Sequence, residues 1–462
     1  MSDVIEQLGE ILPAGRVFAG GAIAEDYGHD ECLTIAAVAP AAVVMPESTD
    51  EVASILRVAD ERRVPITARG SGTGLSGAAT PRPDSIVVSF ERMNRVLEVD
   101  TENHVAVVQP GVRLNELDEL TRAQDLVYPV YPGEYSASLG GNIATNAGGM
   151  RAVKYGVTRH QVLGVEMVLP GGEVLRSGGK FVKASTGYDL TQLVIGSEGT
   201  LGLVTEATLK LYPRAAHQST VLAPFTTLGE VTAAVPRVVD SGVGPMVLEY
   251  IDLLTMSAVQ SFTGLELGIP EEVKNSALAY LVVMMENPVE HRLAEDTERL
   301  SELLSELGAI DVYALPARSA GDLIDAREKA FWMAKANGAD DIIDVVVPRA
   351  QIPVFMDRVS LLATEFDAWI AGCGHAGDGN VHMAIFCADD ERRSRLLSAL
   401  FSVGMDLGGA ISGEHGVGLA KKKYFNELED PAKIALMRRI KTAFDPNGIL
   451  NPGVLFDPDT RP

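Results

Sequence analysis

The sequence predicts an α+β chain of two domains, and three observations carry that reading. Helical and strand patterns alternate from the start of the chain. Glycine and small polar residues crowd the stretch from Gly111 to Gly202. Beyond about residue 214 glycine thins out, and longer helix and strand patterns take over. The boundary therefore falls near Pro213, dividing the chain into 1–213 and 214–462. A length of 462 residues allows two large domains, or about three of roughly 150 residues each. The composition is 46% hydrophobic and 22% charged, which supplies a core and excludes global disorder.

The elements follow in order. The opening MSDVIEQLGEIL is acidic and amphipathic, unlike the basic head and apolar body of a signal peptide. The longest apolar stretch, Leu33 to Met45, is too short to span a bilayer and contains Pro40. Thr49 to Arg63 reads as a helix capped by Thr49 or Asp50, with Val52, Ile55, Leu56 and Ala59 on one face. A strand from Val64 to Ala68, a glycine-rich loop and the apolar strand Ser85 to Phe90 come next. Leu203 to Leu211 alternates like a strand and runs into Tyr212-Pro213. Further on, Glu290 to Leu307 and Ile342 to Val347 carry helix and strand patterns. A late helix from about Arg393 to Leu407 is stopped by Gly408-Gly409. The last one opens at Asp430-Pro431 and ends before Asp445-Pro446.

Charge excludes several functions. Lys and Arg number 39 against 63 Asp and Glu, a net −24. Nucleic-acid binding needs a basic surface, and anionic lipid would repel this chain. The cysteines, Cys32, Cys373 and Cys387, are scattered and form no CxxC pair, which argues against a disulfide scaffold or an iron–sulfur cluster held by this chain alone. A soluble, cytoplasmic protein without a transmembrane segment is expected.

The string RGSGTGLSGAATPRP contains Gly72-x-Gly74-x-x-Gly77, a literal GxGxxG. A dinucleotide-binding turn of that pattern needs a helix directly after the glycines. Pro81 and Pro83 forbid one, so strand–loop–strand is predicted. Anion binding survives without the helix, because consecutive backbone N–H groups in glycine conformations form a concavity. Ser71, Thr73 and Ser76 add hydroxyls, and Arg69 adds charge. PGEYSASLGGNIATNAGG (132–149) and GSEGTLGLVTEATLKLYP (196–213) are further small-residue segments. Together the three suggest a long ligand with a diphosphate, approached closely by backbone.

A second constellation lies near the C-terminus. WIAGCGHAGDGNVHMAIF sets His375 and His382 either side of Gly377-Asp378-Gly379-Asn380, between apolar runs. This reads as a β-hairpin with a tight turn, its two imidazoles able to converge on one ion. ISGEHGVG sets Glu414 and His415 between glycines. Two His and one carboxylate suit a divalent zinc, manganese or iron ion with positions open for substrate. IDAREKAFWMAKA (324–336), read as a helix, carries Arg327 one turn from Phe331. Read from the residues alone, that arginine is a surface partner of Asp325 or Glu328.

In order and spacing, the three small-residue segments resemble the FAD-binding domain of the vanillyl-alcohol oxidase / PCMH-type flavoprotein superfamily, over about residues 40–213. The resemblance implies a two-subdomain PCMH-type domain in which Gly70, Ser71, Gly72, Thr73, Gly74, Ser76 and Gly77 cradle the pyrophosphate, beside Arg69. It implies that Pro132, Gly133, Ser138, Gly141, Asn142, Thr145 and Gly149 line the flavin and ribityl chain. Glu198, Gly202 and Val204 would meet the adenine end or its ribose. Some members attach flavin through a histidine in the first loop; this loop has none, so dissociable FAD is expected.

GHAGDGNVH, SGEHGVG and the closing FDPNGILNPG (444–453) resemble the α/β C-terminal domain of FAD-linked D-2-hydroxyacid dehydrogenases. That family includes D-lactate dehydrogenases, D-2-hydroxyglutarate enzymes and the glycolate oxidase catalytic subunit. The resemblance implies that His375, His382 and Glu414 ligate the metal, that His415 is the base, and that Asn451 approaches the flavin. It makes Arg327 the substrate clamp and brings about 410–462 back to the flavin. The arginine followed by Phe331-Trp332 resembles D-lactate dehydrogenases. D-2-hydroxyglutarate enzymes tend to carry asparagine where this chain has Ala384, which favours a monocarboxylate with a small or apolar tail.

The expected reaction is therefore metal-assisted oxidation of a D-2-hydroxy acid, D-lactate foremost, with hydride transfer to FAD. The expected electron acceptor is a quinone, a cytochrome or an electron-transfer flavoprotein rather than NAD, and an oligomer is permitted. A glycolate oxidase subunit, a D-2-hydroxyglutarate enzyme and a flavin-binding subunit without turnover are the competing readings.

Overall fold

The computed structural model describes residues 1–457; positions 458–462 of the C-terminal domain range lie outside the described residues. Two larger sheets are built from the first part of the chain, beside a two-stranded one of Leu126–Val127 with Tyr212–Pro213. One has four strands in the order Val17–Ala19, Ala42–Val44, Ile86–Ser89, Ile66–Arg69, the last three mutually parallel. The other is antiparallel, in the order Val96–Asp100, Val105–Val108, Leu203–Lys210, Val162–Val168, Val174–Gly178. Leu203–Lys210 buries every second residue, as its alternating sequence requires.

The helix Thr49–Arg62 covers the four-stranded sheet with Val52, Ile55, Leu56 and Ala59. Its cap is Ser48, whose hydroxyl accepts from the Glu51 N–H, in place of Thr49 or Asp50. The predicted cap falls short because Thr49 already has helical backbone and turns its hydroxyl to Glu166 (2.6 Å). No helix follows the first glycine-rich loop, and strands Ile66–Arg69 and Ile86–Ser89 flank it, as Pro81 and Pro83 dictate.

From His217 onward one seven-stranded antiparallel sheet dominates. Its order is Tyr313–Leu315, His217–Phe225, Ala279–Asn287, Val247–Asp252, Trp369–His375, Asn380–Phe386, Asp341–Val346. Helices Leu228–Asp240, Glu290–Glu306, Ile352–Glu365 and Asp390–Asp406 pack a large apolar core against one face, centred on Phe225, Tyr250, Phe355 and Phe401. Asp390–Asp406 starts earlier than predicted because Asp389 caps it, accepting from the Arg392 N–H at 2.7 Å. The opposite face carries helices Leu253–Thr263, Ala317–Glu328 and Ala330–Ala336. The helix predicted through Ile324–Ala336 is thus broken at Lys329, which leaves Arg327 on one piece and Phe331 on the next.

The chain then returns to its beginning. Ile66 donates its N–H to the Ile449 carbonyl (2.7 Å) and accepts from the Asn451 N–H (2.8 Å), so residues 449–451 extend the first sheet. Lys441 on the helix Pro431–Phe444 locks this join, donating to the Thr200 and Leu450 carbonyls at 2.8 Å. Among the described residues no helix is long and apolar enough to cross a membrane.

Phe355 is fully buried between the sheet and the helix Asp390–Asp406. Phe355→Ala is expected to remove about 3–5 kcal/mol of stability. Urea unfolding should show this as an earlier midpoint at unchanged slope.

Candidate active site

The site begins as a row of polar side chains on an otherwise apolar sheet face. In the hairpin, Cys373 pairs with His382 and His375 with Asn380, so His375 and His382 are diagonal neighbours on one face. On one side, Tyr250 pairs with Gly374, a register that sets Glu249 opposite His375. On the other, Asp344 pairs with His382. Four consecutive strands therefore contribute Glu249, His375, His382 and Asp344 in a line. Glu249 and Asp344 are both 0% exposed.

A loop completes the row. Ala410 bridges to Val346, and the following residues fold over Asp344. Its carboxylate accepts from the Ser412 hydroxyl (2.8 Å), the Gly413 and Glu414 N–H groups (2.7 Å each) and the Lys421 ammonium (2.5 Å). Burial alone would push this carboxyl up, but His415 and Lys421 hold it well below its usual range. Pinned this way, the loop brings Glu414 Oε1 to 3.3 Å from His375 Nε2 and 3.1 Å from His382 Nε2.

The three ligand-type atoms of His375, His382 and Glu414 lie within 4.8 Å of one another. Glu414 Oε2 is buried without a hydrogen-bond partner. Glu249 Oε1 takes His375 Nδ1 at 2.5 Å, which leaves Nε2 for the cluster. Two imidazoles, a carboxylate with a spare buried oxygen, and an acid behind one ring form a donor set that fits a divalent ion. Burial opposes charge on both groups, yet the pair interactions prevail: Glu414 is held far below the carboxylate range and His375 well above the histidine range.

Arg327 and His415 flank the cluster. Arg327 is buried, and its Nε donates to Glu249 Oε2 at 3.0 Å. Its Nη2 lies 2.8 Å from the same oxygen but makes no directed hydrogen bond. The partner is thus Glu249, neither Asp325 nor Glu328. His415 Nδ1 lies 3.3 Å from Asp344 Oδ1. Burial is the main force on this ring and lowers its pKa to about 4.

All five side chains open into one cavity of about 1120 Å³. An ordinary small-molecule site occupies about 300–1,000 Å³, so a large cofactor and a substrate can share this one. Gly70, Ser71, Gly72, Thr73, Gly74 and Ser76 line it, as do Pro132, Gly133, Ser138, Gly141, Asn142 and Thr145. Glu198, Gly202, Val204 and Asn451 complete that end. The first two segments are zipped together: Ser71 N–H donates to Ser138 Oγ (3.3 Å) and Ser138 N–H to Ser71 Oγ (3.0 Å). A Cβ on Gly70 would lie 2.0 Å from Ser138 Oγ. The Asn142 amide nitrogen is buried without a partner on the cavity wall, a donor awaiting an acceptor.

Several expected ligand contacts have other duties. Gly77 and Gly149 are not part of the wall. Gly149 has φ +118°, and a Cβ there would meet the Tyr131 carbonyl at 1.7 Å. Gly77, at φ +78°, packs against Ile35 and Leu419. Arg69 reaches the wall, but its Nη1 donates to the His29 carbonyl at 2.5 Å. The Glu198 carboxylate accepts from the Val417 and Gly418 N–H groups, both at 2.8 Å, and so ties the third segment to the loop bearing His415. Asn451 donates to the Glu198 carbonyl (2.7 Å) and the Ala78 carbonyl (3.1 Å).

Glu249, Asp344 and Lys421 were missed from sequence. The available signal was an acid inside an apolar strand, as in VLEYI and IIDVV. Such an acid must be paired when buried, so it marks a polar partner elsewhere.

Family models match both parts of the chain. Residues 40–178 match the model described as "FAD binding domain", and residues 214–455 match "FAD linked oxidases, C-terminal domain". The chain belongs to the FAD-linked oxidase family. A relative from Mycobacterium tuberculosis, named as an uncharacterized FAD-linked oxidoreductase, is 58% identical over 99% of both chains. The D-lactate dehydrogenase of Anaerostipes hadrus is 38% identical over 98% of this chain and 96% of its own. The glycolate oxidase subunit GlcD of Bacillus subtilis is 38% identical over 91% of this chain and 90% of its own. Among solved structures, p-cresol methylhydroxylase superposes with a TM-score of 0.81 at 17% identity, over 99% of this chain and 97% of that one. The fold is therefore of the PCMH type, and the protein is an FAD-linked oxidoreductase.

Two measurements probe this oxidoreductase's site. Glu249→Gln should weaken divalent-ion binding about 10–100-fold, read by calorimetric titration with zinc or manganese. The second concerns Glu198, whose carboxyl is raised to about 7 from 4.5, chiefly by burial. Between those two values the unfolded chain releases a proton that the folded chain keeps, so stability falls as pH rises through the window. Glu198→Gln should flatten that part of the stability-against-pH curve; an unchanged slope would assign it to other groups.

Proposed function

We propose that the chain oxidises a D-2-hydroxy acid to the 2-oxo acid and delivers the electrons to an acceptor other than NAD. D-lactate is the reference substrate, supported by the names of relatives at 37% and 38% identity. On this reading residues 1–213 hold FAD without a covalent bond. Residues 214–462 hold substrate and a divalent ion, and the segment from about 410 onward closes over the flavin. When bound, FAD supplies the two-electron acceptor and the ion supplies Lewis acidity.

The observation that carries the reading is one cavity lined by two unlike sets of residues. The small-residue segments supply one part of its lining; Arg327, His415 and the His375–His382–Glu414 cluster supply the other. The protein's own residues then have separable tasks. Arg327, steadied by Glu249, turns its remaining N–H groups to the substrate carboxylate. His375, His382 and Glu414 would hold the divalent ion, which would supply Lewis acidity beside them. His415 accepts the hydroxyl proton, its Nδ1 edge held toward Asp344. Burial of the cluster keeps water from competing for that proton.

A second reading is a catalytic subunit of a multi-chain glycolate oxidase, favoured by the likeness to the Bacillus subtilis subunit. Turnover of glycolate by the purified single chain with an artificial acceptor distinguishes the two. The main test is His415→Ala under anaerobic stopped flow. Flavin should stay bound while its reduction by D-lactate slows by about 10²-fold or more. Reduction at the full rate would overturn the role. Chelation should abolish turnover of the parent enzyme, and zinc or manganese should restore it.

A further inference from the structure

The outer half of the histidine hairpin leads away from the cluster, and its character changes along the way. On the face that carries His375 and His382, the cross-strand pairs are Cys373 with His382, Ala371 with Ala384, and Trp369 with Phe386. All six line the cavity. At about 3.3 Å per residue, Ala384 lies roughly 7 Å and Phe386 roughly 13 Å beyond His382. The floor therefore runs from metal-type ligands, over two alanines, to two aromatic rings.

Two helices wall this floor. Leu254, Ala258 and Phe262, spaced by four along Leu253–Thr263, form one stripe on the cavity. That helix is tied to the floor: Asp252, its cap, accepts from the Gly372 N–H at 2.6 Å, and Thr255 donates to the Gly372 carbonyl at 3.2 Å. Phe331 and Trp332 on Ala330–Ala336 supply the other wall. At the mouth, Leu254, Phe262, Trp332 and Trp369 are between 39% and 72% exposed. Large apolar groups left in water beside a site mark a surface that a ligand covers.

Charge narrows the ligand. Among the described residues, the only lysine or arginine side chains on the cavity wall are Arg69, which donates to the His29 carbonyl, and Arg327, which is held by Glu249 and on the reading above serves the first carboxylate. The polar groups in the outer slot are the neutral Ser257, Ser261 and Asn337, and the acid Glu328, whose Oε1 is buried without a partner. Lys335, whose ammonium lies 5.3 Å from the centre of the Trp332 ring, is already paired with Glu31 at 2.6 Å, so a second carboxylate on the substrate would meet no free cation there and would face the buried acid Glu328.

We infer that the preferred substrate is a monoanionic 2-hydroxy acid whose tail is apolar and longer than a methyl group, seated between the helix Leu253–Thr263 and Trp332. This rests on the oxidation proposed above and specifies only the tail. Each buried methylene contributes selectivity of about tenfold or more in a fitted apolar site.

The experiment uses the FAD-loaded enzyme under anaerobic stopped flow with D-2-hydroxyisocaproate, D-lactate and D-2-hydroxyglutarate. The branched aliphatic acid should reduce flavin with kcat/KM about tenfold or more above D-lactate, and D-2-hydroxyglutarate should fall below both. Trp332→Ala and Phe262→Ala, both at surface positions, should shrink the first ratio by about tenfold. The flavin absorbance band reports that each variant has folded. If D-lactate equals or exceeds the branched acid, the tail assignment is overturned and the oxidation stands. If none of the three acids bleaches the flavin, the oxidation and the tail assignment fall together. If the variants instead slow reoxidation by a water-soluble quinone and leave the substrate ratio unchanged, the slot serves the acceptor and the inference is overturned.

Discussion

The Asp344 carboxylate is the constraint on which the active end depends. It sits in the middle of a sheet, fully buried, where an unpaired charge would be prohibitive. It is tolerated because Ser412, Gly413, Glu414 and Lys421 all donate to it. Satisfying that charge and folding the loop are one event. The loop cannot move off the sheet without stranding the carboxylate, and Glu414 and His415 travel with the loop. A buried ion pair of this kind adds little net stability but specifies one arrangement.

The same logic repeats across the sheet. Glu249 stands to His375 as Asp344 stands to His382, each acid directly across the strand pair. An antiparallel sheet makes this arrangement cheap to encode, since alternate residues share a face and pairing sets the register. Glu249, His375, His382 and Asp344, on four adjacent strands, yield a line of charge while the reverse face remains apolar. Glu249 also grips Arg327, so one buried acid orients both a ring of the cluster and the guanidinium beside it.

Closure of the cavity has a separate origin. The final segment adds to the first sheet beside Ile66, and Lys441 ties that join to Thr200. Glu198 then reaches across to the backbone of Val417 and Gly418. The third small-residue segment of the cavity wall is thereby bonded to the loop that carries Glu414 and His415. Displacement of the Glu198 segment would be felt by the loop bearing His415, and the reverse.

Much of this was legible in the residues alone. Local rules decided the strand–loop–strand turn through Pro81 and Pro83, the hairpin through Asp378-Gly379, and the late helix through Asp430-Pro431, because each depends only on near neighbours in the chain. The donor chemistry of His375, His382 and Glu414 was also readable, since side-chain type sets what an atom can ligate. The partners were not. Nothing near Arg327 in sequence points to Glu249, and nothing near His415 points to Asp344; those pairs are separated by 78 and 71 residues. The loop glycines were ambiguous for the same reason: Gly70 and Gly149 look alike in a string, but one lines a cavity and the other admits the Tyr131 carbonyl. The sequence by itself determined which groups could bind, donate or bend. Which of them meet was decided by strand register and burial, because only the folded sheet sets distant residues opposite one another and removes the water that would otherwise satisfy them.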